Sequence, residues 1–173
     1  MRHAVSFAPY ALHDGGPVDG DALRKVCGSF ATGVTVVTSG RPGTATGTTV
    51  NSFTSVSLDP PLVLFCLHRR SRLYPVLRET DGFVVNVLSH QQEALAWAFA
   101  GRGPTTLDDV PHDWSPAGLP VLRAALASLT CRLVTEYDGG DHWILLGQVV
   151  DMGAGDGADR PLIFYQGAMC PLG

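Results

Sequence analysis

The sequence carries no CxxC, HxH or HExxH spacing among its 4 cysteines and 6 histidines, so neither a metal site nor a redox dithiol is expected. It lacks GxSxG, and no serine or cysteine has an evident base nearby in sequence, which leaves nucleophilic catalysis without a candidate. The glycine-rich phosphate cradles are missing too. TATGTTV has one glycine and no following lysine, and no GxGxxG opens a helix after a strand, so any nucleotide is bound outside the P-loop and Rossmann schemes. No apolar run approaches the ~18 residues of a membrane span, and the first residues hold no secretory core. Charged residues are scarce at 16% and the net charge is −4. With Arg69, Arg70 and Arg72 as the densest basic cluster, binding of nucleic acid by bulk electrostatics is excluded. There are no internal repeats and no low-complexity tracts. The expectation is a cytoplasmic protein whose Cys27, Cys66, Cys131 and Cys170 are reduced and mostly buried.

What is present is apolar. Hydrophobic residues make up 45% of 173 positions, enough for one domain with a real core and too few positions for two. That share is high for a small monomer and points to a subunit interface. Residues 1–18, interrupted by Pro9, Gly15, Gly16 and Pro17, read as a loose arm, and 19–173 as the domain.

Asp19 or Asp21 is placed to cap a helix carrying Leu23, Val26, Cys27 and Phe30 on one apolar face, ended by Gly33. VTVVTSG is β-branched throughout and reads as a strand that RPG turns into the next. TTVNSFTSVSLDPP then reads as a strand feeding a polar loop, followed by the strand LVLFCLH. Ser71 is placed to cap a short helix in RRSRLYPVLRET, and FVVNVL is a strand. Ser89 with Gln92 makes a capping-box signal for SHQQEALAWAFA, whose Leu95, Ala96 and Phe99 turn inward before Gly101 and Gly103 end it. Residues 101–120 read as a long polar connection and VLRAAL as a helical turn. SLTCRLVTEYD and HWILLGQVVDM are the arms of a hairpin turned at Asp138-Gly139-Gly140-Asp141, and PLIFYQ is the last strand. Six or seven strands, two or three helices and no regular β-α-β alternation predict a mainly β fold. The pattern fits an antiparallel barrel with peripheral helices, closed so that no edge is exposed.

Two places offer binding chemistry. Asn51, Ser52, Thr54, Ser55 and Ser57 supply an amide and hydroxyls beside the extended backbone at Val50, a surface suited to a planar heterocycle with a hydrogen-bonding edge. Taken alone, a Ser/Thr loop ended by proline reads first as a strand connection. His68 ends a strand and His142 starts one at a barrel rim, while His90 and His112 read as solvated; for each ring alone the structural reading stands first. Trp97 reads as packing, and Trp114 and Trp143 are left open.

Taken in order, GSFATGVTVVTS, TVNSFTSVSLDPPLVLFCL, FVVNVLS, GLPVL and YDGGDHWILLGQVVD resemble the short-chain flavin reductases, the small components of two-component flavin monooxygenases, over roughly residues 20 to 167. The resemblance implies a homodimeric Greek-key split β-barrel that binds FAD or FMN near the dimer interface. It further implies that NADH or NADPH donates hydride to the flavin, and that the reduced flavin diffuses to a separate monooxygenase. Hydride transfer needs two stacked rings at close approach and no acid, base or nucleophile from the protein, which agrees with the missing catalytic constellation.

By position, the resemblance gives Thr49, Val50, Asn51 and Ser52 the polar edge of the flavin ring, with Ser55 close by. It gives Cys66, Leu67 and His68 the ring or ribityl chain, Ser71 and Arg72 the phosphates, and Phe99, Ala100 and Gly101 the border of the cofactor. Gly140, Asp141 and His142 match the nicotinamide-site signature, with His142 orienting the nicotinamide over the flavin. Four positions depart from the family pattern. Leu73 stands where a threonine is frequent in the phosphate-binding turn, which favours FAD over FMN; Ala168 and Met169 replace an Arg-aromatic pair; and Leu107 replaces an aromatic. The alternative is a flavin-binding split barrel without reductase activity, against which the intact GDH speaks.

Overall fold

The computed structural model of the chain describes residues 15–102, 106–155, 157 and 159–172. Most of the expected arm, with His3 and His13, and the expected helix stop at Gly103 lie outside the described residues.

The first helix, α1 (Gly20–Cys27), starts where Asp19 caps it by accepting a hydrogen bond from the Ala22 amide at 3.1 Å. It ends at Gly28 rather than at Gly33, because Thr32–Gly33 forms a short strand, β1. The β-branched run becomes β2 (Thr35–Ser39), buried on both faces, which turns into β3 (Thr46–Val50). The hydroxyl-rich stretch holds a strand that the sequence reading took for loop. Thr54–Leu58 is β4, an edge strand paired with β5 (Pro61–His68), and only Asn51–Phe53 is irregular. Helix α2 (Leu73–Thr80) follows, with Pro75 inside its first turn, where a missing N–H costs nothing. Next come β6 (Gly82–Val87), a 3₁₀ turn at His90–Gln92 fixed by the expected Ser89/Gln92 capping box, and α3 (Glu93–Trp97). A π-type turn, Ala98–Arg102, ends α3 at Gly101, whose φ of 82° takes the left-handed region.

The connection at 101–120 is partly ordered as β7 (His112–Trp114), and VLRAAL is not helical: Pro120–Leu122 is β8, pairing with β7. The long arms are β9 (Ala127–Gly139) and β10 (His142–Ala154), reversing at Gly140 with φ 78°. The chain closes with β11 (Leu162–Tyr165) and β12 (Ala168–Pro171), the latter not foreseen, and β1, β11 and β12 form a small sheet.

Seven strands form one antiparallel sheet in the order β3-β2-β6-β9-β10-β5-β4. Laid flat, its edges β3 and β4 would stand roughly 29 Å apart at ~4.8 Å per strand. The chain joins them through Asn51–Phe53, a span of at most about 14 Å, so the sheet is curled into a barrel. Its two edges are not paired with each other. The expectation of a barrel without edges therefore fails, and the split leaves the far edge of β3, beyond a single bridge from Thr46 to Thr106, open toward α3.

Phe65, Leu67, Phe83, Val85, Cys131 and Leu145 fill the barrel beneath Leu73 and Leu77 of α2, with Phe65 and Phe83 edge to face at 5.0 Å. A second layer of Val34, Val36, Leu88, Ala96, Phe99 and Leu107 packs α3 outside β2 and β3. Asn86, fully buried, joins the layers: its amide donates to the Val36 carbonyl at 2.9 Å and its oxygen accepts from the Leu122 amide at 2.9 Å. Asn86→Ala strands both main-chain groups in a dry interior, and is expected to lower unfolding free energy by about 2–4 kcal/mol in urea denaturation.

Burial departs from expectation in two places. Only Cys131 is buried among the cysteines, its thiol pushed up to about 12 by burial, while Cys27 is exposed and Cys66 and Cys170 are half-buried. Cys27 sits on α1, whose Leu23 and Val26 are 53% and 66% exposed, with Phe30 beyond it at 76%. Among the described residues no helix is long and apolar enough to cross a membrane, and no three His, Cys, Asp or Glu side chains group as metal ligands.

Candidate functional site

The open edge of β3 organises the site. β3 pairs with β2 on one side; on the other, among the described residues, only Thr46 is bridged, to Thr106, so alternate main-chain N–H and C=O groups of Gly47–Val50 are left pointing that way. Thr49 fixes the distance to the opposite wall by donating its hydroxyl to the Ala96 carbonyl of α3 at 2.6 Å. Ser52 fixes the end of the strand: its hydroxyl accepts from the Cys66 amide at 2.9 Å and donates to the Cys66 carbonyl at 3.2 Å. It thereby ties the link between β3 and β4 to β5, two residues beyond the last β4/β5 pair, Thr54 with Leu64.

A groove of about 400 Å³ runs along this edge, walled by β3, by the π-type turn at Phe99, Ala100 and Gly101, and by the turn from His68 to Arg72. Through Thr49 and Ala100 it opens into an apolar depression of about 200 Å³ formed by Val34, Val50, Asn51, Trp97, Phe164 and Met169. Asn51 in turn borders a third hollow, of about 580 Å³, with Ser52, Phe53 and Phe30. One end of the trough is thus cationic and the other apolar, with peptide donors and acceptors between them.

At the cationic end the arginines divide by partner. Arg69 bonds Asp138 at 2.6 Å and Arg78 bonds Glu136 at 2.7 Å, which neutralises both. Arg70 and Arg72 line the groove with no ion pair among the described residues. Two uncommitted guanidinium groups beside the Ser71 hydroxyl are suited to phosphate oxygens.

Beside the groove lies the hairpin tip. His142 pairs with His68 across β10 and β5, and the two rings meet edge to face at 5.2 Å. His142 Nδ1 lies 2.7 Å from the Asp141 carboxylate, and this bond, ahead of the imidazole charge, holds the Asp141 carboxyl below its ordinary value. With Nδ1 engaged, the Nε2 edge of His142 is the one left for a ligand.

The structure brings together Thr49, His68, Ser71, Arg72, Phe99, Ala100 and Gly101 around the groove, and Val50, Asn51 and Ser52 around the adjoining hollows. Gly140, Asp141 and His142 reach the groove only through His68. Ser55, exposed on β4, lines none of these hollows. Leu67 requires correction. At 1% exposure its side chain belongs to the barrel core, because LVLFCLH alternates, sending Val63, Phe65 and Leu67 inward and Cys66 and His68 outward. Leu73 and Leu107 are likewise buried packing residues, while Met169 lines the apolar depression. Sequence reasoning passed over Arg70, Trp97 and Phe164. Arg70 was visible in the RRSR run, but that its neighbour Arg69 is engaged and it is not depends on an acid 69 positions away.

Residues 27–173 match the family described as flavin reductase like domain. The FMN reductase (NADH) SmoA of Agrobacterium fabrum is 42% identical over 147 residues, covering 85% of this chain and 83% of that protein. The reductase subunit HsaB of a flavin-dependent monooxygenase from Rhodococcus jostii is 38% identical, covering 87% of this chain and 76% of that protein. Among solved structures, the NADH:FAD oxidoreductase of Streptomyces globisporus superposes with a TM-score of 0.85 at 38% identity, over 96% of this chain and 99% of that one. The same oxidoreductase in complex with NAD and FAD fragments superposes with a TM-score of 0.82 at 37% identity, over 92% and 98%. A shared curled sheet, a match running through nearly every element from Cys27 onward and these identities lead to one conclusion: the chain belongs to the flavin reductase like domain family.

Proposed function

We propose that the protein oxidises a reduced nicotinamide cofactor with FAD or FMN as electron acceptor and releases the reduced flavin to a separate flavin-dependent monooxygenase. Relatives named as NADH-dependent reductases of FMN and of FAD, and as reductase subunits of monooxygenases, support this reading. The observation that carries it is the edge of β3 at Gly47–Val50, opening on a trough with two guanidinium groups at one end that have no ion pair among the described residues, and apolar walls at the other. When bound, the flavin ring supplies the two-electron acceptor that no side chain here provides.

In this reading the main chain at Thr49–Ser52 meets the polar rim of the ring system, and Trp97 and Met169 exclude water from its face. Ser71, Arg72 and Arg70 hold phosphate oxygens, and Ala100 sets the width where the groove meets the apolar depression. His142, held by Asp141, orients the nicotinamide from the His68 side. NADH is the donor favoured by the relatives' names, and FAD is taken as the preferred flavin on the family departure at Leu73, which packs at the start of α2 beside the phosphate turn. The same reading places the protein in the cytoplasm.

The working unit is a homodimer. The polar residues Asp21, Arg24 and Lys25 of α1, themselves exposed, line an open cleft with Phe164 and Gln166, while Leu23 and Val26 lie on the helix face away from it, also exposed. A helix so turned leaves its apolar stripe to a second copy, beside the hollow that Asn51 borders. Leu23→Glu combined with Phe30→Glu is expected to shift the molecule from dimer to monomer in light scattering; a wild-type monomer at micromolar concentration contradicts this.

The activity is tested by following the near-ultraviolet absorbance of NADH with purified protein. Consumption that starts only when FAD or FMN is added is the expected result. Tight flavin binding without consumption identifies a carrier, and neither binding nor consumption overturns the reading.

A further inference from the structure

Arg69 stands between two residues given to the flavin groove, yet its donors point away from it. The β5/β10 ladder ends at the His68 and His142 pair. Beyond that pair, every described hydrogen bond between the hairpin tip at 138–141 and the turn at 69–72 comes from Arg69. Its amide donates to the Asp141 carbonyl at 3.0 Å, its Nε to the Gly140 carbonyl at 2.5 Å and its Nη2 to the Asp138 carboxylate at 2.6 Å. Asp138 closes the tip on itself by accepting from the Gly140 amide at 2.9 Å.

The clamp has a firm backing. The guanidinium lies 3.9 Å from the centroid of Trp143, which stacks on Tyr74 at 5.6 Å with an interplanar angle of 11°. Tyr74 belongs to the first turn of α2 and donates its hydroxyl to Glu136 at 3.1 Å, where Arg78 also binds. The phosphate turn, the start of α2 and the GDH tip therefore form one block whose joint is a planar fork. A lysine cannot bond the Gly140 carbonyl and the Asp138 carboxylate in that geometry.

We propose that Arg69 is a positioning residue that locks the His142 hairpin tip to the His68–Arg72 turn, so that flavin binding at the turn and nicotinamide binding at the tip strengthen each other. This rests on the flavin reductase reading. A ligand phosphate that fixes Arg70, Ser71 and Arg72 fixes the tip through the neighbouring Arg69, beyond the His68–His142 pair where the ladder ends, and linkage makes the effect reciprocal.

Arg69→Met keeps an apolar stem over Trp143 and removes the fork; Asp138→Asn keeps an acceptor for the Gly140 amide and removes the charge. Flavin dissociation constants are measured by fluorescence with and without the unreactive oxidised NAD⁺, alongside the KM for NADH. Wild-type protein is expected to bind flavin about fivefold or more tightly with NAD⁺ present. In Arg69→Met that ratio falls to about one and the NADH KM rises by a similar factor, while flavin affinity alone changes less than about twofold. Arg69→Lys recovers less than half of the ratio, and Asp138→Asn, at an exposed carboxylate, gives an intermediate loss and decides the matter should Arg69→Met not fold.

A wild-type ratio of one, an unchanged ratio in both Arg69→Met and Asp138→Asn, or a flavin affinity that falls as far as the nicotinamide affinity overturns the proposal. Absence of flavin-dependent NADH oxidation by the wild type instead contradicts the function itself, which keeps the two failures apart.

Discussion

Replacing Arg70 and Arg72 together by alanine raises the KM for FAD and FMN by about 100-fold and leaves turnover at saturating flavin nearly unchanged. Each residue lines the groove and has no ion pair among the described residues, so each has a charge-assisted bond to give to a phosphate. Such bonds contribute ~1.5–3 kcal/mol apiece, and two at the lower figure amount to about two powers of ten. The proposed seat of the reacting ring is the other end of the trough, against Val50 and Trp97, so the loss is expected on KM rather than on kcat. Riboflavin, which has no phosphate, makes the control. Its KM is the same for wild type and variant, and the wild-type advantage of FMN over riboflavin shrinks as salt is raised. An equal loss on riboflavin shows that the arginines shape the groove instead; no loss on any flavin places the phosphate elsewhere.

His142→Ala lowers kcat/KM for NADH by about 10- to 100-fold and leaves the flavin dissociation constant unaltered. The ring is fixed on two sides, by the 2.7 Å bond to Asp141 and by the His68 edge, and a misplaced nicotinamide loses rate steeply with distance. The pH dependence follows from Asp141. Hydrogen bonding to His142 depresses the folded value of this carboxyl below the ordinary 3.8, so the pair is intact above that pH and is lost only as pH falls through the depressed value. The kcat/KM for NADH is therefore insensitive to Asp141 protonation from neutrality down to the ordinary carboxylate range. An unchanged rate at limiting NADH in His142→Ala removes the role assigned to that residue.

Long elements with one dominant signal were legible. The β-branched run of β2, the DGGD reversal between β9 and β10 and the Ser89/Gln92 capping box each combine local propensity with local hydrogen bonding, and each formed as read. Short strands were not legible: β1, β7, β8 and β12 hold two to four residues and exist because a partner strand lies alongside. VLRAAL favours helix locally, yet the Leu122 amide is taken by buried Asn86 and the segment is drawn into the small sheet.

The site was legible as a set of segments and less so as directions. Residues 49–51 and 99–101 line one groove and the depression beside it, whereas the inward turn of Leu67 followed from strict alternation that the motif match overrode. The outward face of α1 was hidden for a different reason: its periodicity shows that an apolar stripe exists and not which molecule covers it.

The seat of the flavin is what everything else depends on, and a crystal of the protein grown with FAD and NAD⁺ tests it most directly. The expected density has the isoalloxazine ring along β3 with its polar rim at Thr49–Ser52 and its phosphate between Ser71, Arg70 and Arg72. A ring bound away from β3, or a trough closed by its own side chains with flavin absent, contradicts the account.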